Sequence, residues 1–343
     1  MTGQMQRIAL ASRPVGDPKP ENFSLETGPI PTPGAGEILV EVLWLSLDPY
    51  MRGRMDDAKS YAASVGIGDT MEAGCVARVL ESNFDGLAPG DIVEHRFGWC
   101  SHAVAPGKDV RKVDPTVAPI STAVGVLGMP GLTAWHGFNK IGQPKAGETL
   151  VVGAATGAVG SLVGQLAKAA GLRAVGVAGG AEKCAFAVEE LGFDACIDHR
   201  SGDAKAIREQ LAAACPNGID IYFENVGGKT MEAVLPLMNV WGRIPICGMI
   251  SYYSGAEPGA LDVPRLWRSL LVNRLHAQGF IIFDHWDEFP EFVSEVAPMI
   301  ADGRIKYRES IAEGLENAPD AFMKMLKGGN FGKQLVRVKP ETA

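Results

Sequence analysis

The chain has 343 residues, 46% of them hydrophobic and 21% charged, with a formal net charge of −8. That length and apolar content predict a globular protein of two domains with a large buried core. The acidic balance excludes general binding to nucleic-acid phosphates, and no apolar run approaches the ~20 residues that span a bilayer.

The first eighteen residues, MTGQMQRIALASRPVGDP, lack the apolar stretch of a secretory signal. Cys75, Cys100, Cys184, Cys196, Cys215 and Cys247 show no two-residue spacing. Reduced thiols in a cytoplasmic protein are therefore expected, rather than a disulfide framework. His95, Cys100 and His102 lie close in sequence but match no structural zinc spacing, so no metal is expected there.

Residues 1 to about 122 read as mostly β. Strand-like runs at Glu37–Ser46, Gly74–Leu80 and Asp91–His95 are separated by the turn-forming stretches PTPGAGE and LAPGDI. A barrel-like or sandwich domain follows from that rhythm. From Leu150 the pattern changes. Apolar strand starts recur near 150, 173, 195, 219, 243 and 275, with helices expected over 181–191, 203–214, 229–238 and 264–272. Strands alternating with helices in this way make a doubly wound parallel sheet. Pro245 lies inside the fifth strand, where it forfeits a ladder donor, so a bulge or an unpaired position is expected. Two helical stretches, 286–302 and 315–327, and a last strand, Lys333–Val338, close the chain. This tail is too short for a domain and is expected to pack back on the first one.

The densest chemical signal is TLVVGAATGAVGSLVGQLAKAAGLRAVGVAGGAEK, starting at Thr149. It reads as strand, glycine-rich turn, helix and second strand, with Val159, Leu162, Val163, Leu166, Ala167 and Ala170 on one helix face. Such a turn aims unpaired N–H groups and a positive helix end at a phosphate. The three glycine slots of the dinucleotide fingerprint hold Ala155, Gly157 and Gly160, so the first is imperfect. At the end of the second strand, where an NAD site places Asp or Glu on the ribose hydroxyl, the chain has Ala178, Gly179, Gly180 and Ala181, then Glu182 and Lys183. A missing acid and an added cation suit a ribose 2′-phosphate, and hence NADP(H).

Seven stretches together resemble the zinc-free medium-chain dehydrogenase/reductases, the branch of prostaglandin reductases, leukotriene hydroxydehydrogenases and alkenal double-bond reductases. They are LSLDPYMRGRM, GMPGLTAWHG, AATGAVGSLVGQLAK, DIYFENVGG, GRIPICGMISYY, GFIIF and MLKGGNFGKQLV, in the family's order along nearly the whole chain. The resemblance implies a GroES-like β-barrel domain over 1–123, a Rossmann NADP-binding domain over 124–290, and a return to the first domain over 291–343. Zinc relatives carry Gly-His-Glu before Ala-Gly-x-Val. Here Ala73-Gly74-Cys75-Val76 follows Asp69, Thr70 and Met71, so that ligand histidine is missing. Without a Lewis acid to hold an alkoxide, reduction of an activated C=C bond fits better than alcohol oxidation.

Carried over by position, the cofactor contacts implied are Ala155, Gly157, Ala158, Val159, Gly160, Lys183, Asn225, Cys247, Gly248, Tyr253, Phe280, Ile281, Ile282 and Asn330. Tyr253, and secondarily Tyr50, are the candidate hydroxyl donors to a substrate carbonyl; Tyr252 is read as packing. Where relatives usually have a tyrosine near the adenosine phosphate, this chain has His199 and Arg200. They stand either on a solvated loop or on the phosphate. The expected substrate is an enal or enone, shaped by loops 46–66 and 250–265, and relatives suggest a homodimer. Quinone reduction, allylic-alcohol oxidation and non-enzymatic nucleotide binding are the alternatives.

Overall fold

The computed structural model describes residues 3–255 and 263–341. The chain folds as two compact units, 1–128 with 309–343, and 129–308.

The first unit is built on a largely antiparallel sheet. Its strands are β1 (Gln4–Leu10), β2 (Phe23–Pro29), β3 (Glu37–Leu47), β4 (Cys75–Ser82), β5 (Ile92–His95), β6 (His102–Pro106), β7 (Arg111–Lys112), β14 (Glu309–Glu313) and β15 (Lys333–Arg337). β1 and β2 form a hairpin, and the others run in the order β14-β15-β3-β4-β5-β7, with β6 also paired to β3. β3 is buried along nearly its whole length, which is why EILVEVLWLSL reads as a continuous apolar run rather than an alternation. α1 (Met51–Arg54) follows β3 and α9 (Ala318–Leu326) precedes β15. In the core Trp99 stacks on Phe23 at 5.7 Å and meets Phe322 of α9 edge-on at 5.6 Å.

The second unit is a Rossmann-type doubly wound sheet. Its strands are β8 (Thr149–Gly153), β9 (Arg173–Ala178), β10 (Ala195–Asp198), β11 (Ile219–Phe223), β12 (Met238–Ile246) and β13 (His276–Gly279). All pair in parallel, in the order β10-β9-β8-β11-β12-β13. The helices are α2 (Met129–His136), α3 (Gly160–Ala169), α4 (Ala181–Glu189), α5 (Ala204–Ala214), α6 (Gly228–Val234), α7 (Val263–Asn273) and α8 (Phe289–Ala301). α2 carries no amphipathic period because all but its first residue is buried.

The bulge expected at Pro245 lies ahead of it, where the β11–β12 ladder is broken between Met238 and Arg243. Ile219 pairs with Met238 and Ile221 with Arg243, so extra residues, including Trp241 at φ 67°, loop out of β12. Pro245 still accepts from the Glu224 N–H at 2.9 Å and stays in register with Gln278 of β13.

The tail divides between the units. β14 and β15 join the first unit's sheet, β15 antiparallel to β3. Residues 291–308, expected to return with them, belong to the second unit. There the Trp135 indole N–H donates to Glu295 at 2.6 Å, and Gln165 holds the Lys306 backbone through both its N–H and its carbonyl. Phe289, Phe292 and Val296 are buried. Among the described residues no helix is long and apolar enough to cross a membrane.

Candidate active site

The glycine turn leaves β8 at Gly153 and enters α3 at Gly160. A Cβ on Gly160 would lie 2.3 Å from the Ala154 carbonyl oxygen and 3.1 Å from Ala155 Cα, so helix and turn approach as only glycine allows. The imperfect first slot has a structural answer. The left-handed residue of the turn is Ala154, at φ 51°, while Ala155 keeps a negative φ and is buried. Its methyl fills the space that a Cβ on Gly176 of β9 would need, since that Cβ would stand 2.7 Å away. A glycine one strand over thus replaces the glycine missing from the turn.

Beyond β9 the chain turns through Gly179 and Gly180 into α4. Asp198, ending β10, accepts the Gly180 N–H at 2.8 Å and the Arg200 N–H at 2.9 Å, and those two bonds hold its carboxyl below the usual range. The result folds His199 and Arg200 over the glycine pair. A Cβ on Gly179 would meet His199 Nε2 at 2.9 Å and Arg200 Nε at 3.1 Å. Lys183, in the first turn of α4, is close enough to Arg200 that burial and then that charge hold its ammonium below the ordinary lysine value. Burial, then Lys229 and Arg200, likewise depress the His199 imidazole, against the pull of Asp198. Four basic side chains therefore converge where an NAD site would carry an acid.

At the end of β11, Asn225 donates its side-chain amide to the Gly153 carbonyl at 2.9 Å and so ties β11 to the start of the glycine turn. Glu224 beside it is buried; burial raises its carboxyl, which accepts from the Tyr222 hydroxyl and from the N–H groups of Val226 and Gly227. Its backbone oxygen also accepts from the N–H groups of Cys247 and Gly248. Sequence reasoning missed Glu224 and Asp198 as organisers, because a carboxylate closing a turn onto distant backbone has no local spacing rule.

The stretch Cys247–Tyr253 follows β12. Burial pushes the Cys247 thiol up to about 12, which makes it a packing group rather than a nucleophile. The Tyr252 hydroxyl accepts the Gly228 N–H at 3.0 Å, and the Tyr253 hydroxyl lies over Gly248 and accepts the Met249 N–H at 3.2 Å. Of the pocket loop expected over 250–265, residues 256–262 lie outside the described residues. Phe280–Ile282 leave the end of β13; Phe280 and Ile282 are buried, and Ile281 is extended, with φ −116°.

The second unit thus gathers Ala155, Gly157, Ala158, Val159, Gly160, Lys183, His199, Arg200, Asn225, Cys247, Gly248, Tyr253, Phe280, Ile281 and Ile282 at the carboxyl ends of its parallel strands, the edge where such sheets bind ligands. Tyr50 and Asn330 belong to the first unit. Tyr50 immediately precedes α1, with the Arg54 guanidinium 5.5 Å from its ring centre and its phenol raised by burial. The Asn330 amide donates to the Gly332 carbonyl at 2.7 Å. His95, Cys100 and His102 do not converge. His95 packs edge-on against Phe97, the Cys100 thiol points at the Phe97 carbonyl, and His102 Nδ1 bonds to Ser101 Oγ.

Comparison with known proteins agrees with this architecture. Residues 6–113 match the family described as the N-terminal domain of oxidoreductase, and residues 158–298 the family described as zinc-binding dehydrogenase. The chain is 52% identical over 336 residues to the NADPH-dependent curcumin reductase of Escherichia coli strain K12, covering 97% of this chain and 96% of that one. It is 39% identical over 341 residues to the NADP(+)-dependent 2-alkenal reductase of Nicotiana tabacum, covering 98% of each. The crystal structure of CurA from Vibrio vulnificus in complex with NADPH superposes with a TM-score of 0.93 at 51% identity, covering 98% of this chain and 99% of that one. On sequence, fold and site together, the chain belongs to the zinc-independent branch of the medium-chain dehydrogenase/reductases that contains the curcumin and alkenal reductases.

Proposed function

We propose that this protein is an NADPH-dependent oxidoreductase that reduces the C=C bond of α,β-unsaturated aldehydes and ketones. The observation that carries the reading is the glycine-lined turn beside a cluster of basic side chains, Lys183, His199, Arg200 and Lys229, in a chain 52% identical to a reductase of that type. The residues fit the cofactor. The turn at 155–160 would offer backbone N–H groups to a pyrophosphate, and Lys183, Arg200 and His199 would meet a 2′-phosphate. Asn225, Cys247, Gly248 and the backbone of Phe280–Ile282 would flank the nicotinamide half. The chemistry that bound NADPH would supply is a hydride for the β-carbon.

The chain's own task is to orient the substrate and stabilise the negative charge that develops on its carbonyl oxygen. Tyr253 is the proposed hydroxyl donor, with Tyr50 second. Tyr253→Phe is expected to lower kcat about 10- to 100-fold with less effect on KM for NADPH, because a donor to developing charge acts mainly in the transition state. Initial rates of NADPH oxidation with a 2-alkenal, an aryl enone, a quinone and an allylic alcohol test the reading; turnover of the quinone alone would replace it.

His199 makes a pH signature. Its imidazole is held below the ordinary value and is largely neutral near pH 7, whereas a bound phosphate favours the protonated ring. NADPH affinity is therefore expected to rise about three- to tenfold from about pH 8 to about pH 6, and His199→Ala to flatten that rise. The titration of the phosphate itself is common to both proteins and cancels in the comparison.

A homodimer is the proposed assembly. β13 ends the sheet with all four residues exposed, beside Trp241, Trp267 and Leu271, which are 66%, 65% and 78% exposed. Among the described residues that edge has no further strand, and with large apolar side chains exposed on the same unit it suits pairing with a second copy. Light scattering is expected to give twice the chain mass, and Trp267→Lys with Leu271→Lys to give the monomer; a monomeric wild type would refute the assembly. The free state of all six cysteines supports a reducing compartment such as the cytoplasm.

A further inference from the structure

Next to Phe280, whose ring lies 5.3 Å from that of His136, the second unit brings two imidazoles and a carboxylate together. His136 ends α2 and is buried; His285 and Glu288 come from the 282–288 turn that leads into α8. Glu288 meets His136 Nδ1 at 2.7 Å with one carboxylate oxygen and His285 Nδ1 at 3.8 Å with the other. The two rings stack with centroids 3.9 Å apart and planes 27° apart. One ligand atom from each residue lies within 4.8 Å of the other two, the one such grouping of His, Cys, Asp and Glu found among the described residues. His136 Nε2 is buried without a hydrogen-bond partner.

A histidine kept for packing alone has no need of a second imidazole on its face and a shared carboxylate. Two stacked rings repel if both are protonated, whereas a neutral imidazole carries one lone pair; that of His136 lies on the buried Nε2 while Nδ1 donates to Glu288, and a metal bound at Nδ1 displaces that proton. We propose that His136, His285 and Glu288 form a binding site for a divalent transition-metal ion of the zinc type, separate from the site of hydride transfer. Two nitrogens and one carboxylate suit Zn²⁺, Co²⁺ or Ni²⁺ better than Mg²⁺ or Ca²⁺. Bonds of about 2.0–2.2 Å require the 2.7 Å hydrogen bond between His136 and Glu288 to open and His285, with a side chain 35% exposed, to turn out of the stack toward the shared ion. Glu288 is 21% exposed, so solvent reaches the remaining coordination positions, and Asp284 and Asp287 on the same turn add negative potential. A bound ion joins α2 to the turn directly after Phe280–Ile282, and it acts as a brace rather than as a reactant.

The test uses tag-free protein stripped with a chelator and titrated with Co²⁺. One equivalent is expected to bind with visible d–d bands and no thiolate charge-transfer band, and affinity is expected to fall at least tenfold in His285→Ala and in Glu288→Gln. Zn²⁺ is expected to raise the thermal midpoint of the wild type by several degrees and that of neither variant. Absence of saturable binding, a thiolate band that assigns the ion to cysteines, or unchanged affinity in both variants would overturn the proposal. Both substitutions fall on partly exposed side chains, and circular dichroism checks that each variant is folded.

Discussion

Replacing Lys183 and Arg200 together by alanine is expected to raise the Kd for NADPH about 100- to 1,000-fold while changing that for NADH less than about threefold. The reasoning starts from Gly179 and Gly180, which remove the acid that would repel a 2′-phosphate and leave no side chain between it and the cations. Asp198 caps the backbone N–H groups of Gly180 and Arg200 and so fixes where the guanidinium leaves the chain. Burial and Arg200 depress the Lys183 ammonium, a cost of crowding cations that a dianionic phosphate reverses. Each charge-assisted contact contributes about 1.5–3 kcal/mol, and two removed together at about 1.5–2 kcal/mol each, the lower part of that range, give the stated loss. Tryptophan-fluorescence titration with both cofactors measures the ratio; an equal loss for NADPH and NADH would take both residues off the phosphate.

The second large effect concerns the first unit. Lys333→Met is expected to destabilise it by about 3–5 kcal/mol, because one partner of a buried ion pair is removed and the other stays. Lys333 is only 4% exposed; its ammonium donates to Asp48 at 2.6 Å and to the Leu47 carbonyl at 2.7 Å, joining β15 to the end of β3. Asp48 also accepts from the Ser46 hydroxyl. Burial holds the Lys333 ammonium below its ordinary value, and the Asp48 and Glu309 charges oppose that shift. With the lysine gone, Asp48 and the Leu47 carbonyl lose their donor in a place water does not reach. Each kcal/mol corresponds to about 2–4 °C in Tm for a unit of this size. Lys333→Met with Asp48→Leu is expected to recover much of the loss, since an apolar pair leaves no orphaned charge. A single variant as stable as the wild type would mean that the pair contributes nothing.

Much of the fold was legible in the residues. Short strands punctuated by Pro-Gly turns, then six apolar starts alternating with helices, are local patterns, and local patterns survive without tertiary context. The glycine turn, the absent acid and Lys183 were legible for the same reason: each is a matter of residue type at a fixed spacing. The ends of the helices were less so. The helix expected from 286 starts at Phe289, because residues 282–288 form a tighter turn with His285 out of helical geometry.

What sequence alone determined, then, is the class of fold, the glycine turn between β8 and α3 and the NADP(H) class of cofactor. Tertiary structure decided the rest. Ala155 is tolerated in a glycine slot because Gly176, on the neighbouring strand, gives its methyl room. His199 and Arg200 stand over Gly179 because Asp198 also holds the Gly180 N–H of the neighbouring turn. Residues 291–308 stay with the second unit because Trp135 and Gln165 hold them there. In each case the deciding contact joins residues about 20 to 160 positions apart, and no periodicity along the chain encodes a contact at that range.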